Sequence, residues 1–301
     1  MSRFYASKPD VNRGQVLIFL FQTLKLIEMN DNNTAEEFNK FAKYYDAYVN
    51  DFSDDLYLYR SFCGRNDKIL EVGCGTGRVI KYLLDNGLTN VTGIDVSDAM
   101  LRIAQEKLNK YLNNNNLTLK KHDLSATPLL ESFEKVFVTY YTFNYILNNP
   151  DKFLKNIYLS MKTNSFIIID LFYPLLYLDP TYDNIWIERK IKLKNNQSIT
   201  LRSKKSFDGT FEHRVLVFVE NGKATSIESS RKFYSKEEME ELLINAGFTN
   251  IKTIYGYSIG DTSKYAEDYP LRGYNEFNVN LDEYANREET KPNFVVYANK
   301  L

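Results

Sequence analysis

The sequence predicts an α/β protein: a mostly parallel sheet of seven strands with helices on both faces, plus an inserted antiparallel β meander. Three observations predict it. From residue 68 onward short apolar runs alternate with longer amphipathic segments, the pitch at which right-handed helical crossovers join parallel strands. Hairpin signals, Asp208-Gly209 and Asn221-Gly222, cluster in one later stretch, where Asn, Asp and Gly tolerate the positive φ that a twist-matched turn needs. The first strand-like run closes on a carboxylate and three glycines at alternate positions, the composition of a ligand-binding turn.

Each element follows in order. A helix is expected over 34–50, where Phe38, Phe41, Tyr45 and Tyr48 recur at helical spacing. Strands are expected at 68–72, 91–95, 117–121, 135–140 and 166–170, with helices at 78–86, 98–112 and 151–161, the second capped by Ser97 or Asp98. Four strand-like runs between 185 and 234 turn at Asn195-Asn196, Asp208-Gly209 and Asn221-Gly222. The helical pattern returns at 235–246, opened by a Ser235/Glu238 capping box and stopped by Gly247. Strands at 249–255 and 293–299 complete the main sheet, and 256–292 carries no assignment. The boundaries are therefore an N-terminal helical extension (1–33), a main domain (34–180 and 235–301) and an inserted β lid or dimerisation subdomain (181–234).

Composition narrows the partners. With 38 basic and 39 acidic residues in a chain of 301, no long-range field favours nucleic acid or an anionic membrane, so a small-molecule substrate is expected. The two cysteines and two histidines make neither a disulfide framework nor a zinc site at these spacings, so no metal is expected and a reducing, cytoplasmic location fits best. The apolar run 16–21 follows basic residues but is interrupted by Gln22 and Lys25; it is read as an amphipathic helix rather than a targeting or membrane segment. A homodimer through that helix or the β insertion is an expectation.

The motif with chemistry is Glu71-Val72-Gly73-Cys74-Gly75-Thr76-Gly77-Arg78. Glycines let the backbone pass close to a ligand, and the helix start supplies unpaired N–H groups. A dinucleotide loop is the competitor, but its sixth position here is Arg78, and Glu71 would put negative charge where two phosphates must lie. A ligand carrying an ammonium and a sulfonium suits that carboxylate.

Over most of 38–301 these residues resemble the class I S-adenosylmethionine-dependent methyltransferases, a Rossmann-like family. The resemblance implies that Gly73, Cys74, Gly75 and Gly77, flanked by Glu71 and Arg78, cradle the methionine part of S-adenosyl-L-methionine. It implies that Asp95 takes both ribose hydroxyls, and that Val96 and Met100 flank the adenine. Asp123, in His122-Asp123-Leu124, would meet the adenine amino group, and Tyr140 lies where the family's backbone meets the cofactor. Phe41-Ala42-Lys43-Tyr44-Tyr45-Asp46, the β insertion, and Tyr234-Ser235-Lys236-Glu237-Glu238 leading to Ala246-Gly247-Phe248 are similar to small-molecule N-methyltransferases, including those of amino sugars. In them Tyr44 or Tyr45 would reach the cofactor carboxylate. The Asn/Asp-Pro-Pro-aromatic motif of nucleic-acid amino methyltransferases is replaced here by Tyr140-Tyr141-Thr142-Phe143.

Transfer from a sulfonium is an in-line displacement for which positioning and exclusion of water supply most of the acceleration. An amine acceptor needs only to be unprotonated, whereas a hydroxyl calls for a base such as His213 or a tyrosine. Tyr141 and Tyr173 are the tyrosine candidates for the methyl site. Methylation of a nitrogen is the first expectation, O-methylation the second, and cofactor binding without catalysis the third. The basic run Arg189, Lys190, Lys192, Lys194, Arg202, Lys204 and Lys205 is read mainly as a solvated outer face.

Overall fold

The structure, a computed structural model, describes residues 31–49, 52–172, 183–257 and 293–301. The extension up to residue 30, Tyr173 and the unassigned stretch 258–292 lie outside the described residues. The elements are α1 (Asp31–Val49), α2 (Leu56–Ser61), β1 (Ile69–Val72), α3 (Arg78–Asp85), β2 (Val91–Asp95), α4 (Asp98–Lys107), α5 (Asn109–Asn113), β3 (Leu117–Lys121), β4 (Phe133–Val138), α6 (Pro150–Leu159), β5 (Met161–Phe172), β6 (Trp186–Lys192), β7 (Ser198–Phe207), β8 (Phe211–Glu220), β9 (Lys223–Lys232), α7 (Lys236–Ala246), β10 (Thr249–Tyr255) and β11 (Asn293–Lys300).

The main sheet has seven strands in the order β10-β11-β5-β4-β1-β2-β3. Strands β3, β2, β1, β4 and β5 are parallel neighbours, and β11 runs antiparallel to both β5 and β10. The central strands are buried on both faces: β1 reads Ile-Leu-Glu-Val with every residue buried, as a parallel strand covered by helices must be. Apolar clusters lie on either side of it, one around Phe133, Phe143, Phe153 and Met239, the other around Tyr59, Ile80, Leu83 and Phe137. Chain order reverses between β1 and β4, the switch point where ligands bind at the carboxyl ends of strands.

The second sheet is the meander β6-β7-β8-β9, antiparallel throughout. Its β8–β9 turn has both Asn221 and Gly222 at positive φ, the two-residue geometry expected of an Asn-Gly hairpin. Ile191, Ile199, Leu201, Leu216, Phe218 and Ile227 on its inner face pack on Phe41 and Tyr44 of α1. Tyr44 stacks flat on Phe218 at 4.2 Å. The meander therefore rests on α1, whose other side faces the main domain.

The structure corrects four local expectations. The helix expected over 98–112 breaks at Leu108 into α4 and α5. The strand expected to reach Tyr140 ends at Val138, and β5 is longer at both ends than 166–170. Glu238 completes half of a capping box: Ser235 accepts from the Glu238 N–H at 3.1 Å, but the Glu238 carboxylate turns to Lys232 instead. Among the described residues no helix is long and apolar enough to cross a membrane.

Candidate active site

The glycine turn follows directly from β1, with Gly73, Gly75 and Gly77 at φ of +68°, +52° and +80°. A side chain on Gly73 would place its Cβ 2.5 Å from Cγ2 of Thr142, so the turn after β4 rides on this loop. At Gly75 the nearest group is the Tyr45 ring, 3.8 Å from where a Cβ would stand. Tyr45 is brought there by its neighbour: Thr76 Oγ1 donates to Asp46 Oδ1 at 2.6 Å, and Lys107 bonds both at 3.0 Å. Cys74 is buried and donates its N–H to the Ile94 carbonyl at 2.9 Å, fixing the loop against β2.

Two acids flank the turn. Glu71 is 2% exposed, and burial pushes its carboxyl up to about 8. Thr139 donates to its Oε1 at 2.7 Å, while Oε2 is buried with no partner among the described residues. Asp95, at the end of β2, accepts from Gly75 N on Oδ2 and from Ser97 N on Oδ1, each at 2.8 Å. It thereby ties the glycine turn to the start of α4. Burial raises its carboxyl and these N–H groups oppose the rise. An ionised carboxylate offers about four acceptor sites, so both oxygens retain capacity for further donors.

Beside Asp95, the His122 N–H donates to the Asp95 carbonyl at 3.2 Å, which brings the end of β3 level with that of β2. Asp123 is half-buried and accepts from Ser125 N at 2.7 Å; Leu124 is buried; the His122 ring contacts the Thr127 carbonyl at 2.8 Å. Val96 is half-buried and Met100 is buried against the α1–meander cluster.

The turn after β4 is strained. Tyr140 and Tyr141 lie at φ of +47° and +66°, a region that bulky side chains avoid and that costs on the order of 1–3 kcal/mol per residue. Their rings stack at 5.0 Å, and Phe172 at the end of β5 meets Tyr141 edge-on at 5.3 Å. Behind them Tyr257 donates to Asp170 Oδ2 at 2.9 Å and lies 3.4 Å from the Tyr141 hydroxyl, with Tyr59 also on Asp170 at 3.3 Å. Burial, with Asp55 adding to it, pushes the Asp170 carboxyl up to about 7.

Tyr45, Glu71, Gly73, Gly75, Asp95, Tyr140 and Tyr141 thus gather around one turn at the sheet's switch point. Arg78 is there too, but its guanidinium is committed: both terminal nitrogens bond Asp55 at 2.6 Å, and it lies over the rings of Phe52 and Tyr140. It braces the wall and has no free fork for a ligand. His213 is not brought in. It sits on the outer face of β8, with Nδ1 on Ser230 at 2.8 Å and Nε2 3.4 Å from Asp208. Tyr173 lies outside the described residues. Of the basic run, Arg189 lies over Tyr48 of α1 rather than in solvent. Thr139, Asp55, Asp170 and Tyr257 are residues the sequence does not single out; only Asp170 carries a signal, as the acid closing the strand expected over 166–170 in the manner of Asp95.

This arrangement fits S-adenosyl-L-methionine. The partnerless Glu71 Oε2 suits an ammonium, the spare lone pairs of Asp95 suit a vicinal diol, and the Tyr140–Tyr141 faces suit a cationic sulfur. Comparison with known proteins agrees. Residues 69–164 match the family model described as Methyltransferase domain. The chain is 25% identical over 247 residues to carboxy-S-adenosyl-L-methionine synthase 1 of Yersinia pseudotuberculosis, covering 77% of this chain and 94% of that protein. Among solved structures it is similar to an S-adenosylmethionine-dependent methyltransferase from Clostridium acetobutylicum, with a TM-score of 0.63 and 18% identity, over 87% of this chain and 98% of that one. It also resembles S-adenosylmethionine-bound CalS10, an amino pentose methyltransferase from Micromonospora echinaspora, with a TM-score of 0.57 and 13% identity, over 85% of this chain and 96% of that one. The sheet order, the glycine turn between two buried acids and the family match over that turn together give this chain a methyltransferase domain over residues 69–164 within the class I methyltransferase fold.

Proposed function

We propose that the chain transfers the methyl group to a nitrogen of a small molecule by in-line displacement. The observation that carries the choice of nitrogen is the chain of groups from Tyr141 through Tyr257 to Asp170. The bound cofactor supplies a methyl group on a sulfonium, which needs positioning more than activation. Tyr140 and Tyr141 offer stacked faces to a cation, favourable for an incoming ammonium. The acceptor's proton can pass to Tyr141 Oη as Tyr141 hands its own proton to Tyr257 Oη and Tyr257 hands its own to an ionised Asp170 Oδ2, which leaves both tyrosines neutral and Asp170 protonated.

Magnitudes favour an amine acceptor. Asp170 stands at about 7, and an alkyl ammonium of lysine type loses its proton near 10.4, a gap worth about 4–5 kcal/mol. An aliphatic hydroxyl resembling water, near 15.7, would leave about 12 kcal/mol to find. His213, the other candidate base, lies on the far face of the meander. The likeness to the fold of an amino pentose methyltransferase supports the same class of acceptor.

The test is turnover of S-adenosyl-L-methionine with a panel of small amines, amino sugars among them, each matched to its hydroxyl analogue. Release of S-adenosylhomocysteine with an N-methylated product, from the amines only, is expected. An O-methylated product, or tight cofactor binding with no turnover on any amine, would overturn the proposal.

A further inference from the structure

The inner face of the meander holds a buried cation that neither cofactor binding nor the proton path uses. Along β8 the inward positions are Glu212, Arg214, Leu216 and Phe218, each buried and separated by an outward residue. Leu216 and Phe218 rest on α1. Arg214 and Glu212 project past that contact, over the turn that follows β4.

Arg214 is 5% exposed. Its guanidinium bonds Tyr145 Oη at 2.8 Å, Tyr48 Oη at 3.4 Å and Ser229 Oγ at 3.3 Å, all neutral groups. The acid that acts on it is Glu212, which attracts Arg214 without bonding it: its Oε1 takes both bonds from Arg231, at 2.6 and 3.0 Å, and its Oε2 is buried with no hydrogen-bond partner among the described residues. Among the described residues no carboxylate stands within ion-pair distance of Arg214. A buried cation that bonds no carboxylate and shares its nearest one with two other cations, Arg231 and Lys205, is expensive, and proteins that keep one supply an anion to it. The surroundings add positive potential: Lys205 is the β7 register partner of Arg214, and the Arg189 guanidinium lies over Tyr48. The Tyr48 hydroxyl reports that field, since the neighbouring cations hold it below the ordinary phenol range although burial pushes the other way.

The position relates to the methyl site. Tyr145, which holds Arg214, ends the short helical turn begun by Thr142 on the glycine loop. Arg231 lies 4.2 Å over the Phe172 ring, which in turn meets Tyr141. Resting on the reading of a small amine acceptor, we propose that Arg214, presented by Tyr145 and Tyr48, receives an oxyanion of that acceptor, a carboxylate or a phosphate. The planar guanidinium is suited to such a group by its paired parallel N–H donors. The acceptor would then be an amine that also carries negative charge, held between the roof and the aromatic turn.

The same chemistry has a second source, the cofactor's own carboxylate, and the experiment separates the two. S-adenosylhomocysteine is titrated by calorimetry into the full chain and into Arg214→Gln and Arg214→Lys. Inorganic phosphate is then titrated into each protein saturated with S-adenosylhomocysteine, at ionic strength held constant with chloride. The expected result is S-adenosylhomocysteine affinity within about twofold in all three, with phosphate binding at least tenfold weaker in Arg214→Gln and intermediate in Arg214→Lys. If Arg214→Gln fails to fold, the Lys variant, which keeps the charge but loses the fork, carries the comparison. Loss of S-adenosylhomocysteine affinity by tenfold or more would assign Arg214 to the cofactor and overturn the proposal. So would phosphate binding that is absent from the parent chain or unchanged in the variants. Failure of the parent chain to bind S-adenosylhomocysteine would instead strike the methyltransferase reading itself.

Discussion

Cofactor affinity should depend on pH through Glu71. Burial lifts this carboxyl from an ordinary 4.5 to about 8 in the cofactor-free protein, against the Thr139 hydroxyl, the Arg78 charge and the Ile80 backbone, which favour the ionised form. At pH 7 it is therefore ionised in about one molecule in ten, and ionising the rest costs about 1.4 kcal/mol. A cofactor ammonium beside the partnerless Oε2 stabilises the ionised form, so binding expels a proton wherever the free protein still holds one. The sign follows from the raised value: the protonated acid stabilises the cofactor-free fold below pH 4.5, and that contribution is lost as pH rises toward 8. The dissociation constant for S-adenosylhomocysteine should accordingly rise about tenfold for each unit the pH falls from 8 to 6. Calorimetry in buffers of different ionisation enthalpy should count close to one proton released at pH 6–7. Glu71→Gln should bind more weakly at pH 8, with a flat profile and no proton release. A flat profile in the parent chain, or an unchanged slope in Glu71→Gln, would refute the placement of the ammonium.

Other consequences concern the same site. Asp95→Ala loses the diol contact together with the bonds to Gly75 and Ser97, and should weaken S-adenosylhomocysteine by at least about 2 kcal/mol in a calorimetric titration. Gly73→Ala would drive a Cβ to 2.5 Å from Thr142 at a φ of +68°, so thermal unfolding should show a loss of about 1–3 kcal/mol that Thr142→Ala restores only in part, because the strained φ remains. Arg78→Ala leaves Asp55 buried and unpaired and should destabilise the fold by about 3–5 kcal/mol, read as a lowered Tm. Tyr257→Phe cuts the link from Tyr141 to Asp170, so kcat for an amine should fall with little change in KM, and the loss should be least at high pH, where the amine arrives unprotonated.

The framework was legible because its signals are local. Period-two and helical runs placed the strands, Ser97 and Ser235 cap helices through their hydroxyls, Gly247 ends α7 in the left-handed region, and Asn221-Gly222 turns β8 into β9. Glu71, the glycines and Asp95 were legible because they end strands that lie side by side. The rest depends on long-range partners. Arg78 is taken by an aspartate 23 positions upstream, and Asp170 meets Tyr257 across 87. Lys-Val-Phe-Val-Thr-Tyr-Tyr at 135–141 has the composition of a strand throughout. Yet the chain must leave the sheet after Val138, because Thr142 has to reach the glycine loop, and the two tyrosines absorb the turn at positive φ. In β8 the parity was visible and its sense was not. His213 shares a face with Val215 and Val217, and Arg214 with Leu216 and Phe218; only the packing of Phe218 on Tyr44 shows which face is inside. Once it does, the histidine belongs to the outer surface and the arginine to the site.

The central claim is that Glu71, the glycine turn and Asp95 hold S-adenosyl-L-methionine at the carboxyl ends of β1 and β2. A crystal structure of the S-adenosylhomocysteine complex tests it most directly. The ribose hydroxyls should be found on the Asp95 carboxylate, the amino group at Glu71, and the sulfur turned toward Tyr140 and Tyr141. A nucleoside bound elsewhere on the sheet, or lying the other way round with adenine at Glu71, would contradict it.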